Sequence, residues 1–153
     1  MSRSAGPDGM CGGQAMDITL EKEGAEINDA LLQYIHTHKT GDMIRTSVRS
    51  AALLADASDE QLQALTLYAE NIGLAFQIAD DILDITGATE ELGKTSGKDV
   101  TQNKLTYPRL YGIDESRKMA EQCVKNAIIN LEIFKEKADY LRLLAEYIIQ
   151  RKS

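Results

Sequence analysis

Phe76-Gln77-Ile78-Ala79-Asp80-Asp81-Ile82-Leu83-Asp84 places three carboxylates within five residues at the end of an apolar-periodic segment. At about 3.6 residues per helical turn, Gln77, Asp80, Asp81 and Asp84 fall within an arc of about 100°. Leu62, Leu65, Ala69, Ile72, Phe76, Ala79 and Leu83, alternately three and four apart, form the adjoining apolar stripe of a helix that packs on a core. One helix thus carries a core face and an acidic face side by side. Electrostatics opposes the acidic face: Asp80 and Asp84 are like charges at i,i+4, and a helix ending near Gly87 sets all three acids by the negative end of its dipole. A cation is therefore expected there. Asp-Asp-x-x-Asp by itself also describes a solvated helix end, so the surrounding sequence carries the decision.

The 153 residues are 43% apolar, the size of one domain with its own core. Seventeen basic against 24 acidic residues leave a formal charge of -7, which argues against a nucleic-acid partner but admits a small anion held by a few placed lysines. Cys11 and Cys123 lie far apart with no C-x-x-C pairing, which suits a reduced, cytoplasmic setting. No uncharged run exceeds nine residues, so neither a membrane span nor a signal-peptide core is expected. Helix formers dominate, prolines number two, and no stretch alternates with period two; the fold class is all-α.

The glycine-rich stretch from Ser4 to Asp17 reads as a helix whose small residues Gly12 and Gly13 let another helix come close. Thr19 to Ile27 reads as a polar loop. Asn28 caps a helix on which Leu31, Leu32 and Ile35 share a face. His36-Thr37-His38-Lys39-Thr40-Gly41 is a polar break before the apolar run from Met43 to Leu54. Histidines at i,i+2 point to different helix faces and make poor joint metal ligands, so both are read as surface residues. Ser58 and Gln61 form a capping box that starts the motif helix, which is expected over about 58–85. From Gly87 to Lys104, three glycines alternate with Lys94, Lys98 and Lys104, a loop able to fold back over whatever the acids bind. Pro108 suits the first turn of a short helix ending at Gly112. Asp114 and Asp139 are expected to cap two last helices, with inner residues Met119, Val124, Ile128, Leu131 and Phe134 on one and Leu141, Leu144, Ala145 and Ile148 on the other.

With Leu92-Gly93-Lys94 and Asn103-Lys104-x-Thr106-Tyr107-Pro108 beside it, Phe76-Gln77-x-x-Asp80-Asp81-Ile82-Leu83-Asp84 resembles the second aspartate-rich region of the trans-isoprenyl diphosphate synthases, most of all the short-chain farnesyl diphosphate synthases of bacteria. Gly12-Gly13-Gln14-x-x-Asp17 is similar to a family helix deep in the bundle, which implies that Gln14 and Asp17 face the catalytic cavity. Lys39-Thr40-Gly41 is similar to the family's helix interruption, which implies that Lys39 reaches a diphosphate. Its carbonyl, Thr40 and Gln77 then face an allylic carbocation. Lys94 and Lys104 correspond to further diphosphate-side lysines. The implied cofactor is Mg²⁺, with Asp80 as direct ligand and Asp81 and Asp84 acting through water and orientation.

The resemblance implies the C-terminal part of the isoprenoid synthase helical bundle, with residues 1–153 as one truncated domain. A first aspartate-rich motif, an upstream Gly-Lys-Arg segment and the arginines for isopentenyl diphosphate are not found. The implied reaction is Mg²⁺-dependent ionisation of an allylic diphosphate, attack by isopentenyl diphosphate, and proton loss to give farnesyl diphosphate. Residues setting product length lie upstream of the first motif, so a geranylgeranyl diphosphate synthase fragment stays open. The chain alone is expected to be inactive, and to order as a homo-oligomer or as the complement of an N-terminal half. A non-catalytic helical interaction subunit is the alternative of another class, but it has no use for clustered acids on one helix. A terpene cyclase is disfavoured because the Lys39-Thr40 and Lys94 to Lys104 pattern is that of chain elongation.

Overall fold

Eight α-helices, one π turn and one 3₁₀ segment make up the regular structure in the computed structural model, which describes residues 1–23, 28–91 and 105–151. In chain order they are α1 (Ser2–Ala5), α2 (Met10–Glu23), α3 (Asp29–His36), the π turn (Thr37–Gly41), α4 (Asp42–Leu54), α5 (Asp59–Glu91), α6 (Tyr107–Tyr111), α7 (Ile113–Asn130), the 3₁₀ segment (Glu132–Ala138) and α8 (Asp139–Gln150). There is no strand among the described residues, and none of the helices is long and apolar enough to cross a membrane.

The capping box forms as expected: the Ser58 amide donates to Gln61 Oε1 at 3.0 Å, and the Gln61 amide donates to Ser58 Oγ at 3.3 Å. The other end of α5 differs, since the helix passes Gly87 and runs to Glu91. A helical glycine costs about 1 kcal/mol relative to alanine, a penalty that a long helix already nucleated and packed absorbs. The acidic motif therefore stands nearly two turns short of the helix end, beyond the reach of most of the dipole effect invoked against it. Helix α2 likewise continues past Thr19 to Glu23, where a loop is expected. The Thr19 hydroxyl donates back to the Ala15 carbonyl at 2.9 Å, so its polarity is absorbed within the helix.

Helix α5 is central. It packs most extensively on α7 and α4, while α8 lies along its middle from Tyr68 to Asp80 and α6 meets it at Asp81. Tyr68, Ile72, Ala75 and Ala79 meet Val124 and Ala127 of α7, Leu131 at its C-terminal cap, and Ala145 and Ile148 of α8 in one core cluster. Ile78 and Ile82 meet Leu32, Ile35, Leu105, Tyr107 and Ala120 in a second, directly beneath the acidic motif. At about 25 cal/mol per Å² of covered apolar surface, these clusters are what fix the orientation of α5 about its axis.

Asn28 Oδ1 accepts from the Leu31 amide at 2.9 Å, the cap predicted for α3. Pro108 sits in the first turn of α6, and Gly112, at φ 80°, ends it in a conformation that side chains disfavour. Asp114 and Asp139 make no side-chain caps and lie instead in the first turns of α7 and α8. The α7–α8 corner is held by Arg142, whose guanidinium donates to the carbonyls of Leu131 and Lys135 and pairs with Asp139. Met43, Val48, Ile72, Phe76, Leu144 and Tyr147 line an open, largely apolar groove of about 460 Å³ between α4, α5 and α8. Leu54 and Tyr140 are each 87% exposed.

Candidate active site

The polar stretch from His36 to Gly41 does not break the helix. It is a π turn joining α3 to α4 without interruption, one wide turn of the kind that concentrates at functional sites. Two glycines pin it. A Cβ built on Gly13 of α2 would lie 2.4 Å from the Lys39 nitrogen and 2.9 Å from its Cα, and one on Gly73 of α5 would lie 3.2 Å from the Cα of Gly41. The π turn is thus wedged against two helix backbones, and Lys39 and Thr40 are carried toward the acidic face of α5. His36 corrects the surface reading: it is 5% exposed, its Nε2 3.5 Å from Asp81 Oδ2 and its ring stacked on Tyr107. His38 is half-buried and pairs with Asp42 at 2.6 Å.

Asp17, His36, Lys39, Thr40, Phe76, Gln77, Asp80, Asp81 and Leu105 line a cavity of about 110 Å³. Lys39 Nζ donates to Asp17 Oδ2 at 2.7 Å, and the Thr40 hydroxyl donates to Gln77 Oε1 at 2.6 Å. Asp17, Lys39, Thr40, Gln77 and Asp80, singled out from separate stretches of sequence, therefore converge. Gln14, one turn before Asp17 on α2, is exposed. Lys94 and Lys104 lie outside the described residues.

The three acids of the motif have different surroundings. Asp80 is partly exposed and its Oδ1 accepts from Arg151 Nη2 at 2.9 Å. That guanidinium also lies 4.2 Å over the Phe76 ring, a cation–π seat. Asp81 is 2% exposed and turned inward, and its Oδ2 accepts from the Tyr107 amide at 3.0 Å. Asp84 is exposed. The cation expected beside the acids is present, and it is a side chain from just past the end of α8. Arg151 is not singled out by the sequence, because no local pattern says that a residue 71 positions later returns to Asp80.

Among the described residues no group of three or more His, Cys, Asp or Glu encloses a metal position. A dedicated protein cage is not what Mg²⁺ needs; it is held by one or two carboxylates, with waters and phosphate oxygens completing the octahedron. Asp80 and Asp84, one turn apart with hard oxygen donors, fit that demand, and the guanidinium on Asp80 is a stand-in cation at the position. Asp81 is occupied by its amide donor. Burial, with the charges of neighbouring acids behind it, pushes the Tyr107 hydroxyl well above the usual phenol range. Burial raises the Cys123 thiol also, so it is no activated nucleophile.

A family model described as polyprenyl synthetase matches residues 5–146. The chain belongs to the polyprenyl synthetase family. This polyprenyl synthetase chain is 48% identical over 151 residues to a dimethylallyltranstransferase of Fischerella ambigua and 45% identical over 155 residues to the farnesyl diphosphate synthase of Escherichia coli. It is also 40% identical over 153 residues to a geranylgeranyl diphosphate synthase of Cyanophora paradoxa. Each match takes in 99% or more of this chain but 43%, 51% and 51% of the relative, so the chain spans about half the length of these curated relatives. Among solved structures, an FPP/GFPP synthase of Zymomonas mobilis superposes with a TM-score of 0.82 at 34% identity, covering 95% of this chain and 47% of that one. A geranylgeranyl pyrophosphate synthetase of Pyrococcus horikoshii gives 0.74 at 27% identity, covering 93% and 55%. The all-α fold is that of the isoprenoid synthase helical bundle.

Proposed function

We propose that this chain carries the diphosphate-ionising half of a short-chain trans-isoprenyl diphosphate synthase site. It would condense an allylic diphosphate, dimethylallyl or geranyl, with isopentenyl diphosphate to give farnesyl diphosphate once the other half of the bundle is supplied. The observation that carries this reading is the convergence of Lys39, Thr40, Gln77 and Asp80 on one cavity in a chain of this family. Asp80 and Asp84 would hold Mg²⁺, which when bound supplies charge neutralisation on the departing diphosphate. Lys39, paired now with Asp17, is within reach of the same diphosphate by a side-chain rotation. Because the Thr40 hydrogen is directed at Gln77, the Thr40 oxygen presents lone pairs rather than a proton to the cavity. An oriented dipole of that kind stabilises an allylic cation at less reorganisation cost than mobile water. Lys94 and Lys104 are proposed as further diphosphate donors.

Residues 1–153 act in this reading as one truncated domain, with the α4–α5–α8 groove covered by helices of the other half. The test is to assay the chain with radiolabelled isopentenyl diphosphate and geranyl diphosphate, alone and mixed with the portion of the Escherichia coli synthase outside the matched region. Product from the mixture and none from the chain alone is expected. Turnover by the chain alone would show that the site is complete without a second half. A folded mixture without product would refute the catalytic reading.

A further inference from the structure

We infer that His36 is a positioning residue for the acidic motif, fixing Asp81 and, through it, the Leu105–Tyr107 wall of the cavity, so that Asp81 anchors that wall and the ion-facing role falls to Asp80 and Asp84. Five contacts join in a ring. His36 Nε2 lies 3.5 Å from Asp81 Oδ2, and the same oxygen receives the Tyr107 amide at 3.0 Å. The His36 and Tyr107 rings stack at 5.2 Å between centroids with an interplanar angle of 23°. The Tyr107 ring meets that of Tyr111, whose hydroxyl bonds Asp29 in the first turn of α3, the helix that ends at His36. Helices α3, α5 and α6 are thereby tied together by side chains that are buried at the inner end of the ring.

The consequence for the site follows from burial. Leu105, Thr106 and Tyr107 are all buried, and Leu105 lines the cavity. Turning Asp81 outward toward an ion would leave the Tyr107 amide buried without its acceptor, which native structures avoid. The same histidine directly precedes the π turn that carries Lys39 and Thr40, so one residue sets the register of both sides of the cavity.

The inference deepens the proposed function, and its first readout does not depend on it. In the 153-residue chain, amide hydrogen exchange at Tyr107 is compared with that at Val124 in α7. His36→Leu should speed exchange at Tyr107 about tenfold relative to Val124, the loss of a hydrogen bond to a carboxylate. His36→Gln, whose amide nitrogen can take the place of Nε2, should restore protection. If His36→Leu does not fold, His36→Asn serves, since its shorter amide does not reach Asp81. Unchanged relative exchange in the variants that cannot reach Asp81 would overturn the inference. The second readout is Mn²⁺ binding with inorganic pyrophosphate, followed by electron paramagnetic resonance. Asp81→Asn keeps an acceptor for Tyr107 and should weaken binding much less than Asp80→Asn, which should weaken it about tenfold, the loss of a directly coordinating group. Equal weakening by both would make Asp81 a ligand and overturn the inference. Failure of the unaltered chain to bind Mn²⁺ would count against the ion site alone, and Tyr107 exchange would still decide the role of His36.

Discussion

Gly13→Ala tests the closest backbone contact in the molecule that bears on the site. The added methyl would sit 2.4 Å from the Lys39 nitrogen, 2.9 Å from its Cα and 3.0 Å from the His38 carbonyl carbon. All three atoms are backbone, so no side chain can rotate out of the way, and α2 must separate from the π turn by roughly 1 Å to reach ordinary van der Waals contact. Overpacking of this kind costs about 1–3 kcal/mol. Replacing a helical glycine by alanine returns about 1 kcal/mol. At 2.4 Å from fixed backbone the cost lies in the upper part of that range, about 2–3 kcal/mol, so the net loss is about 1–2 kcal/mol, or a fall in Tm of about 3–6 °C for a chain of this length. Gly41→Ala is the control in the same turn: its methyl meets nothing nearer than the His36 carbonyl oxygen at 3.3 Å, so the helix-propensity gain offsets most of the crowding. Urea unfolding followed by circular dichroism at 222 nm measures both variants. A Gly13→Ala chain at least as stable as the parent, with Gly41→Ala unchanged, would refute the wedge between α2 and the π turn.

Asp80→Ala, in the chain joined to a complementary half, is expected to lower kcat more than Asp84→Ala, because the Asp80 carboxylate lines the cavity and Asp84 lies a turn further out; equal losses in steady-state assays would show that the two acids share the ion evenly. Tyr68 is fully buried with its hydroxyl donating to the Leu141 carbonyl at 2.9 Å, and burial pushes its pKa from 10.0 up to about 12. A raised pKa favours the neutral phenol in the fold, so this contribution is intact below pH 10 and is lost as pH rises toward about 12, a loss on the order of 2 kcal/mol in all. Tyr68→Phe should flatten that alkaline limb of stability measured by urea titration, and an unaltered limb would assign it elsewhere. The open α4–α5–α8 groove, with Tyr147 63% and Leu144 48% exposed, predicts self-association of the isolated chain at micromolar concentration. Sedimentation velocity showing a cooperatively melting monomer would mean that these helices need no cover.

Local sequence determined the helices themselves. The Ser58–Gln61 box, the Asn28 cap, Pro108 and Gly112 each act through bonds or torsions within a few residues, and the three-and-four spacing from Leu62 to Leu83 marks one edge of the core side of α5, where Ala69, Ile72 and Ala79 are buried and Leu62, Leu65, Phe76 and Leu83 are partly exposed. Motif spacing and family resemblance also point to Asp17, Lys39, Thr40, Gln77 and Asp80, which line one cavity. Tertiary structure decided what each charge does. The polar run at His36 is a surface feature by composition, yet Tyr107 and Asp81 close over it and make it a buried support. Three aspartates equivalent in sequence divide into an inward anchor, a cavity acid and an exposed acid, because the core clusters set how far α5 is rotated and only one direction meets the Tyr107 amide. Arg151 reaches Asp80 for the same reason: contacts across 71 positions depend on how α8 packs on α5, and no pattern along the chain encodes a distance in space.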